Sequence, residues 1–248
     1  MATPRKKTRR TPRKRSSGPP RQKGQKRKSV TAEYLKVILL AVGLALLVRT
    51  FLVQAFRIPS GSMEDTLLVG DFLLASKFLY GPKIPFTDIR LPGFRDPEPG
   101  DIIIFQYPKD PSRDFIKRCL AGPGQTVEVR DKVLYVDGKR AVDPPHSKYV
   151  DARIQRTGNR DNFAPQKVPP DHYFMMGDNR DSSEDSRYWG FLSQKWIKGN
   201  ATIIYWSWAP DANAPTYRNL ASIPKILLYN LLNIPRRTRW SRIGALVK

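Results

Sequence analysis

Twelve consecutive residues, Val37 to Val48, form an unbroken apolar run rich in Leu and Val, and after Arg49 the apolar character resumes as far as Phe56. A membrane span takes about 20 residues, so the run alone is short. Counted from Glu33 to Phe56, with Lys36 and Arg49 extending their charges to the two interfaces, it is long enough. One transmembrane helix over 33–56 is therefore expected, and it divides the chain into a short leading arm and a long following body. The rival reading is a cleaved secretory signal, because a basic region, a short apolar stretch and Val53-Gln54-Ala55 mimic its three parts. The length of the basic arm favours the anchor.

Residues 1–28 hold thirteen Lys or Arg and no Asp or Glu, which leaves 31 basic against 22 acidic residues in the rest of the 248-residue chain. The arm, taken as 1–32, mixes those charges with Pro, Gly, Ser and Thr and has nothing apolar to seed a core, so it is expected to be disordered. Lys and Arg concentrate on the cytoplasmic side of a span, which puts the arm inside and the body outside. Such a charge would also suit nucleic acid, but a soluble nucleic-acid-binding protein has no use for the span, so the anionic partner expected is membrane lipid. The one cysteine, Cys119, excludes an intrachain disulfide and reads as a small buried apolar residue.

From Asp71 the pattern changes to short β-type runs broken by Gly and Pro: Phe72–Leu79, Asp101–Tyr107, Asp114–Leu120, Thr126–Arg130, Val133–Val136, Tyr173–Met176 and Ala201–Trp208. Asp137-Gly138 marks a tight turn between Val136 and Lys139. A mainly β, antiparallel domain over 57–220 follows, with a polar, proline-rich excursion over about 144–170. In the last segment, 221–248, Ile223 to Ile234 is apolar but too short for a second span, and Arg236, Arg237, Arg239, Trp240 and Arg242 follow it. That composition suits a segment packed on the domain or lying on the membrane surface.

Three segments have chemical potential. In Ile58-Pro59-Ser60-Gly61-Ser62-Met63 a proline and a glycine flank two hydroxyls, a layout able to aim a side chain and a backbone N–H at one point. In Asp114-Phe115-Ile116-Lys117-Arg118-Cys119-Leu120 strand alternation puts Lys117 between Phe115 and Cys119 on one face. Burial there can lower a lysine pKa by roughly 3–5 units from about 10.4, which makes a neutral amine available to activate a serine. Gly177 to Gly190 is dense in carboxylates but lacks the spacing of a calcium loop, so its alternating Asp and Arg read as internal ion pairs and no metal is expected. Two histidines, His146 and His172, and the absence of a Gly-x-Ser-x-Gly elbow leave little room for a Ser/His/Asp triad.

Together these segments resemble the type I signal peptidases, the bacterial leader peptidases that remove signal peptides from exported proteins. The match runs from about Phe51 to Trp208. Ile58 to Met63 is similar to the family's nucleophile motif, Gly70-Asp71 to its following box, Phe115-Ile116-Lys117-Arg118 to its lysine strand, and Gly177 to Gly190 to its Gly-Asp-Asn-Arg-Asp signature. Asp65, Gln125, Ser182 and Leu192-Ser193 depart from the family's usual residues, none at a catalytic position.

The resemblance implies a signal-peptidase-like β fold in which Ser62 is the nucleophile and Lys117 the general base, with no cofactor. It implies an oxyanion hole from the Ser60 hydroxyl and the Ser62 N–H, with Ser183 orienting the Lys117 amine. Asp178 with Arg118, and Asp185 with Arg187, become structural ion pairs. Phe56, Ile58, Pro59, Met63, Leu67, Phe115 and Ile116 become the lining of pockets for the small side chains of an Ala-x-Ala cleavage site. The expected partners are exported preproteins, the expected place is the bacterial cytoplasmic membrane, and the expected state is a monomer. The alternative is a catalytically silent, membrane-anchored β protein whose basic arm binds anionic lipid or nucleic acid.

Overall fold

The computed structural model describes residues 30–85, 87 and 89–247. The expected basic arm lies outside them up to Ser29, and its last residues already belong to a helix. That helix, α1 (Val30–Leu47), runs into a π-helical turn, Val48–Leu52. Among the described residues, Glu33–Leu52 is the one stretch of helix long and apolar enough to cross a membrane. Leu39, Leu40 and Leu44 are exposed along it, and a helix apolar all round with no buried face is matched to lipid rather than to a protein core. The expected span of 33–56 is helical only to Leu52. Beyond it β1 (Val53–Arg57) pairs antiparallel with β2 (Asp71–Ser76), from Val53 opposite Ser76 to Arg57 opposite Phe72. Chain extended in a ladder satisfies its backbone groups between strands, so the helix ends where the sheet begins.

The body is antiparallel β throughout. After β2 come β3 (Ile102–Tyr107), β4 (Asp110–Ala121), β5 (Thr126–Arg130), β6 (Val133–Val136), β7 (Lys139–Arg140), β8 (Phe163–Lys167), β9 (His172–Met176), β10 (Leu192–Ser193) and β11 (Ile197–Ser207), with one short helical turn, α2 (Ser186–Trp189), between β9 and β10. A seven-stranded sheet has the order β1-β2-β11-β3-β4-β9-β10, and a four-stranded sheet the order β7-β6-β5-β8. Asp137 and Gly138 both adopt positive φ in the turn between β6 and β7, the backbone that a two-residue hairpin requires. The excursion over 144–170 also supplies a strand: β8 pairs with β5, only Phe163 is buried, and the rest of the strand faces water. That exposure explains why its sequence reads as loop.

Three apolar clusters divide the work. Ile58, Met63, Leu67, Leu73, Ile104, Ile116 and Ile204 fill one face of the large sheet. Ile103, Phe105, Cys119, Met175 and Leu192 fill the other. Val127, Val129, Leu134, Phe163, Phe174 and Met176 join the two sheets. Near the end, α3 (Ile223–Arg237) buries none of its residues, and Leu227, Leu228, Leu231 and Leu232 are exposed. The tail after it returns to β11, with Thr238 bridging Trp208 and Leu246 bridging Ile203.

Phe174 is fully buried where the sheets meet, and truncating a phenylalanine in such a place removes burial and leaves a cavity. Phe174→Ala should cost about 3–5 kcal/mol, read as a lower urea midpoint for loss of near-ultraviolet circular dichroism in detergent. An unchanged midpoint would mean that the joint between the sheets bears no load.

Candidate active site

Ser62 sits on the loop between β1 and β2. The loop is closed at its neck, where Ile58 N donates to Asp71 O at 2.8 Å and Gly70 N to Ile58 O at 3.0 Å. Its apolar residues Ile58, Met63 and Leu67 sink into the first cluster while Pro59 and Ser60 stay exposed. One side of the loop is therefore held by burial and the other is open for chemistry.

Lys117 lies on β4, which is flanked by β3 on one side and β9 on the other, so its side chain has no sheet edge to escape over. Lys117 is 3% exposed. Its Nζ lies 2.6 Å from Ser62 Oγ, hydrogen-bonded to it, and 5.4 Å from the centre of the Phe115 ring. Burial pushes the amine down to about 8, against a smaller upward pull from the Asp185 and Glu184 carboxylates. A substantial neutral fraction at neutral to mildly basic pH follows, in contact with a hydroxyl. Cys119, on the same face, is fully buried and its thiol is pushed up to about 12 by burial, which leaves it an inert apolar group.

The segment that follows β9 closes over this pair. A Cβ on Gly177 would stand 2.3 Å from Ser183 Oγ and 2.5 Å from Ser62 O, so only glycine lets the two chains approach this closely. Asn179 N donates to Ser62 O at 3.1 Å, and Asn179 Nδ2 to Gly61 O at 3.3 Å. Asp178 accepts from Arg118 Nε and Nη2 at 2.8 Å each and from Thr66 Oγ1 at 2.6 Å. Asp185 accepts from Arg187 Nε and Nη2, again at 2.8 Å each, and from Gly177 N at 3.2 Å. All four charged side chains are buried, and bidentate pairing is what makes that burial tolerable.

Ser62 and Lys117 open on a cleft of about 650 Å³ lined also by Pro59, Ser60, Phe115 and Ile116. A smaller pocket of about 260 Å³ adjoins it, lined by the apolar Phe56, Ile58, Pro59, Ile104, Phe115 and Ile116 together with Arg57 and Asp114. Of the expected pocket residues, Met63 and Leu67 line neither and are fully buried core beneath the loop. Ser183 departs from its expected contact as well: among the described residues its buried hydroxyl has no hydrogen-bond partner, and the Lys117 amine bonds to Ser62. Ser60 lines the cleft, in place to contribute to an oxyanion hole. Neither His146 nor His172 lines it.

Several residues here escape reading by sequence. Arg113, Asp114, Asn179, Ser182 and Glu184 line the cleft, and Thr66 ties the Ser62 loop to Asp178. Asn179, Ser182 and Glu184 lie in the carboxylate-rich segment and Asp114 in the lysine strand, but nothing in their spacing marks which side chains turn toward the serine. Among the described residues no group of three or more His, Cys, Asp or Glu is gathered to hold a metal ion.

Comparison with known proteins gives the family. The family model described as "Signal peptidase, peptidase S26" matches residues 31–206. Signal peptidase I of Pseudomonas aeruginosa is 34% identical over 230 residues, covering 81% of this chain and 80% of that protein. Signal peptidase I of Aquifex aeolicus is 33% identical over 270 residues, covering 88% of this chain and 97% of that protein. The chain belongs to the signal peptidases of the peptidase S26 family, membrane serine endopeptidases that remove signal peptides from exported proteins.

Proposed function

We propose that Ser62 is the nucleophile and Lys117 the general base of this endopeptidase; the contact between a buried, depressed amine and the serine hydroxyl carries the reading. The neutral amine takes the Ser62 proton as Oγ attacks the carbonyl after a small residue. The oxyanion is met by the Ser60 hydroxyl and the Ser62 N–H. The ammonium returns its proton to the leaving amine, the mature protein departs, and an ester remains on Ser62. Lys117 then takes a proton from water as the water attacks the ester, and the ammonium returns that proton to Ser62 Oγ as the C–O bond breaks. The signal peptide leaves as a carboxylic acid that ionises in solvent, and the serine and neutral amine are restored. No step calls for a cofactor.

The pocket whose lining includes the apolar Phe56, Ile58, Ile104, Phe115 and Ile116 offers an apolar seat for the alanine side chains of the cleavage site. In the proposed topology the arm over 1–32 is cytoplasmic, the helix crosses the cytoplasmic membrane once, and the β domain, from 57 onward, works outside as a monomer in contact with lipid. A nucleophile only a few residues from the end of the span meets substrates whose own signal helices share the bilayer, which replaces a search in three dimensions by one in two.

Cleavage of a reporter preprotein with an Ala-x-Ala site, in liposomes, tests the dyad. Ser62→Ala and Lys117→Ala should each lower turnover by at least about 10³-fold, while His146→Ala and His172→Ala cleave as the parent does. Residual cleavage by Ser62→Ala at the parent's rate would end the proposal.

The pH profile follows from the same geometry. The neutral amine is the active form, so kcat/KM should climb about tenfold per pH unit below a midpoint of about 8 and level off above it. A midpoint near 6.5, where an unperturbed imidazole titrates, would transfer the role of base to a histidine.

A further inference from the structure

The family model ends at residue 206, and the basic segment after α3 has no part in the catalytic scheme above. The structure nevertheless brings two of its arginines to the loop that carries Ser62. Asp71, at the neck of that loop, is 0% exposed. Its Oδ2 accepts from Arg242 Nη2 at 2.5 Å and from Leu68 N at 2.8 Å, and its Oδ1 from Ser207 Oγ at 2.6 Å. Arg239 Nη1 stands 3.6 Å from Oδ1.

Both guanidinium groups also grip the loop backbone directly. Arg242 Nη2 donates to Thr66 O at 2.9 Å, and Arg239 Nη1 to Val69 O at 3.1 Å. Thr66 in turn donates its hydroxyl to Asp178, the partner of Arg118, which is the residue next to Lys117. A continuous line of hydrogen bonds thus runs from Arg242 through Thr66 and Asp178 to the strand of the base.

The tail is fixed well enough to transmit this grip. Beyond Asn200 the edge of β11 that faced β3 is free, and the tail takes it: Gly244 N donates to Ile204 O at 2.8 Å, Ile204 N to Ala245 O at 2.9 Å, and Val247 N to Thr202 O at 2.9 Å. Ala245 and Val247 pack on the same cluster that holds Ile58, Met63 and Leu67.

We propose that Arg242, assisted by Arg239, is a positioning residue of the peptidase: through Asp71 and the Thr66 carbonyl it sets the height of the nucleophile loop, and so the distance from Ser62 to Lys117. This rests on Ser62 being the nucleophile. Neither arginine touches substrate. A guanidinium is suited to the task because its fork reaches a carboxylate and a carbonyl at once, which a lysine ammonium does not do in the same geometry.

The test uses the full chain in detergent micelles, with parent, Ser62→Ala, Arg242→Ala and Arg242→Lys proteins cleaving the reporter preprotein. Arg242→Ala should lower kcat by about 10- to 100-fold, the scale set by small misplacement of reacting groups, with KM within about twofold. Added guanidinium ion should restore a large part of that loss without affecting the parent, and the midpoint of the pH profile should stay where the parent has it. Arg242→Lys keeps the charge beside Asp71 and supplies the readout should Arg242→Ala not fold. It should lose several-fold in kcat at unchanged thermal stability. Parent-like kcat in folded Arg242→Lys, or a loss in Arg242→Ala that tracks its unfolded fraction and ignores guanidinium, would overturn the proposal. An active Ser62→Ala would instead overturn the assignment of the nucleophile.

Discussion

A lysine amine taken out of water and set against a serine hydroxyl is the constraint to which the rest of this fold answers. An amine at about 8 instead of 10.5 prefers its neutral form by about 3 kcal/mol more than it would in solvent, by the usual conversion of a pKa unit. The sign matters for the whole molecule. Because the folded value is depressed, the fold bears a cost at pH below about 8, and that cost is relieved only as the pH rises toward the value of an unfolded lysine. The molecule accepts strain at one point and must be rigid around it.

The rigidity comes from charge as much as from apolar packing. Two buried bidentate pairs, Arg118 with Asp178 and Arg187 with Asp185, bind the segment after β9 to the lysine strand and to itself. Gly177 lets that segment lie against the backbone of Ser62. Apolar contacts then hold the Ser62 loop from below through Ile58, Met63 and Leu67. Three regions far apart in sequence, near 62, 117 and 180, are brought together because β4 lies inside the large sheet, between β3 and β9. The carboxylates that hold the arginines also bear on the amine, and Asp185 and Glu184 keep its value from falling further.

Much of this is legible in the amino acids. Alternation in Asp114 to Leu120 places Lys117 between Phe115 and Cys119, and the structure has all three on one face with the amine buried. The runs Thr126–Arg130 and Val133–Val136 are strands with those bounds: Val127 and Val129 alternate with polar residues in the first, and the second is a short apolar run ended by a sharp turn. What alternation does not reveal is depth. Met63 and Leu67 are apolar residues close to Ser62 in sequence, and only the fold shows that they point into the core instead of into the cleft. Val53 to Phe56 continues the apolar character of the helix, so the change to an edge strand is invisible until β2 is present to pair with it. The strand at Phe163–Lys167 is hidden for the opposite reason, since four of its five residues face water. The tail shows the same limit in charge: nothing in the spacing of Arg239 and Arg242 points to Asp71, the buried carboxylate 171 residues away from Arg242 that it pairs with.

The most direct test of the account is the titration of the Lys117 amine itself. In full-length protein with ¹³C-labelled lysine in micelles, the Cε signal that disappears in Lys117→Arg can be followed from pH 6 to 11. The account predicts a single titration with a midpoint near 8, apart from lysines that follow the solvent value of about 10.4. A Lys117 signal that titrates with those others would mean that the amine is charged at working pH, and that Ser62 takes its reactivity from another group.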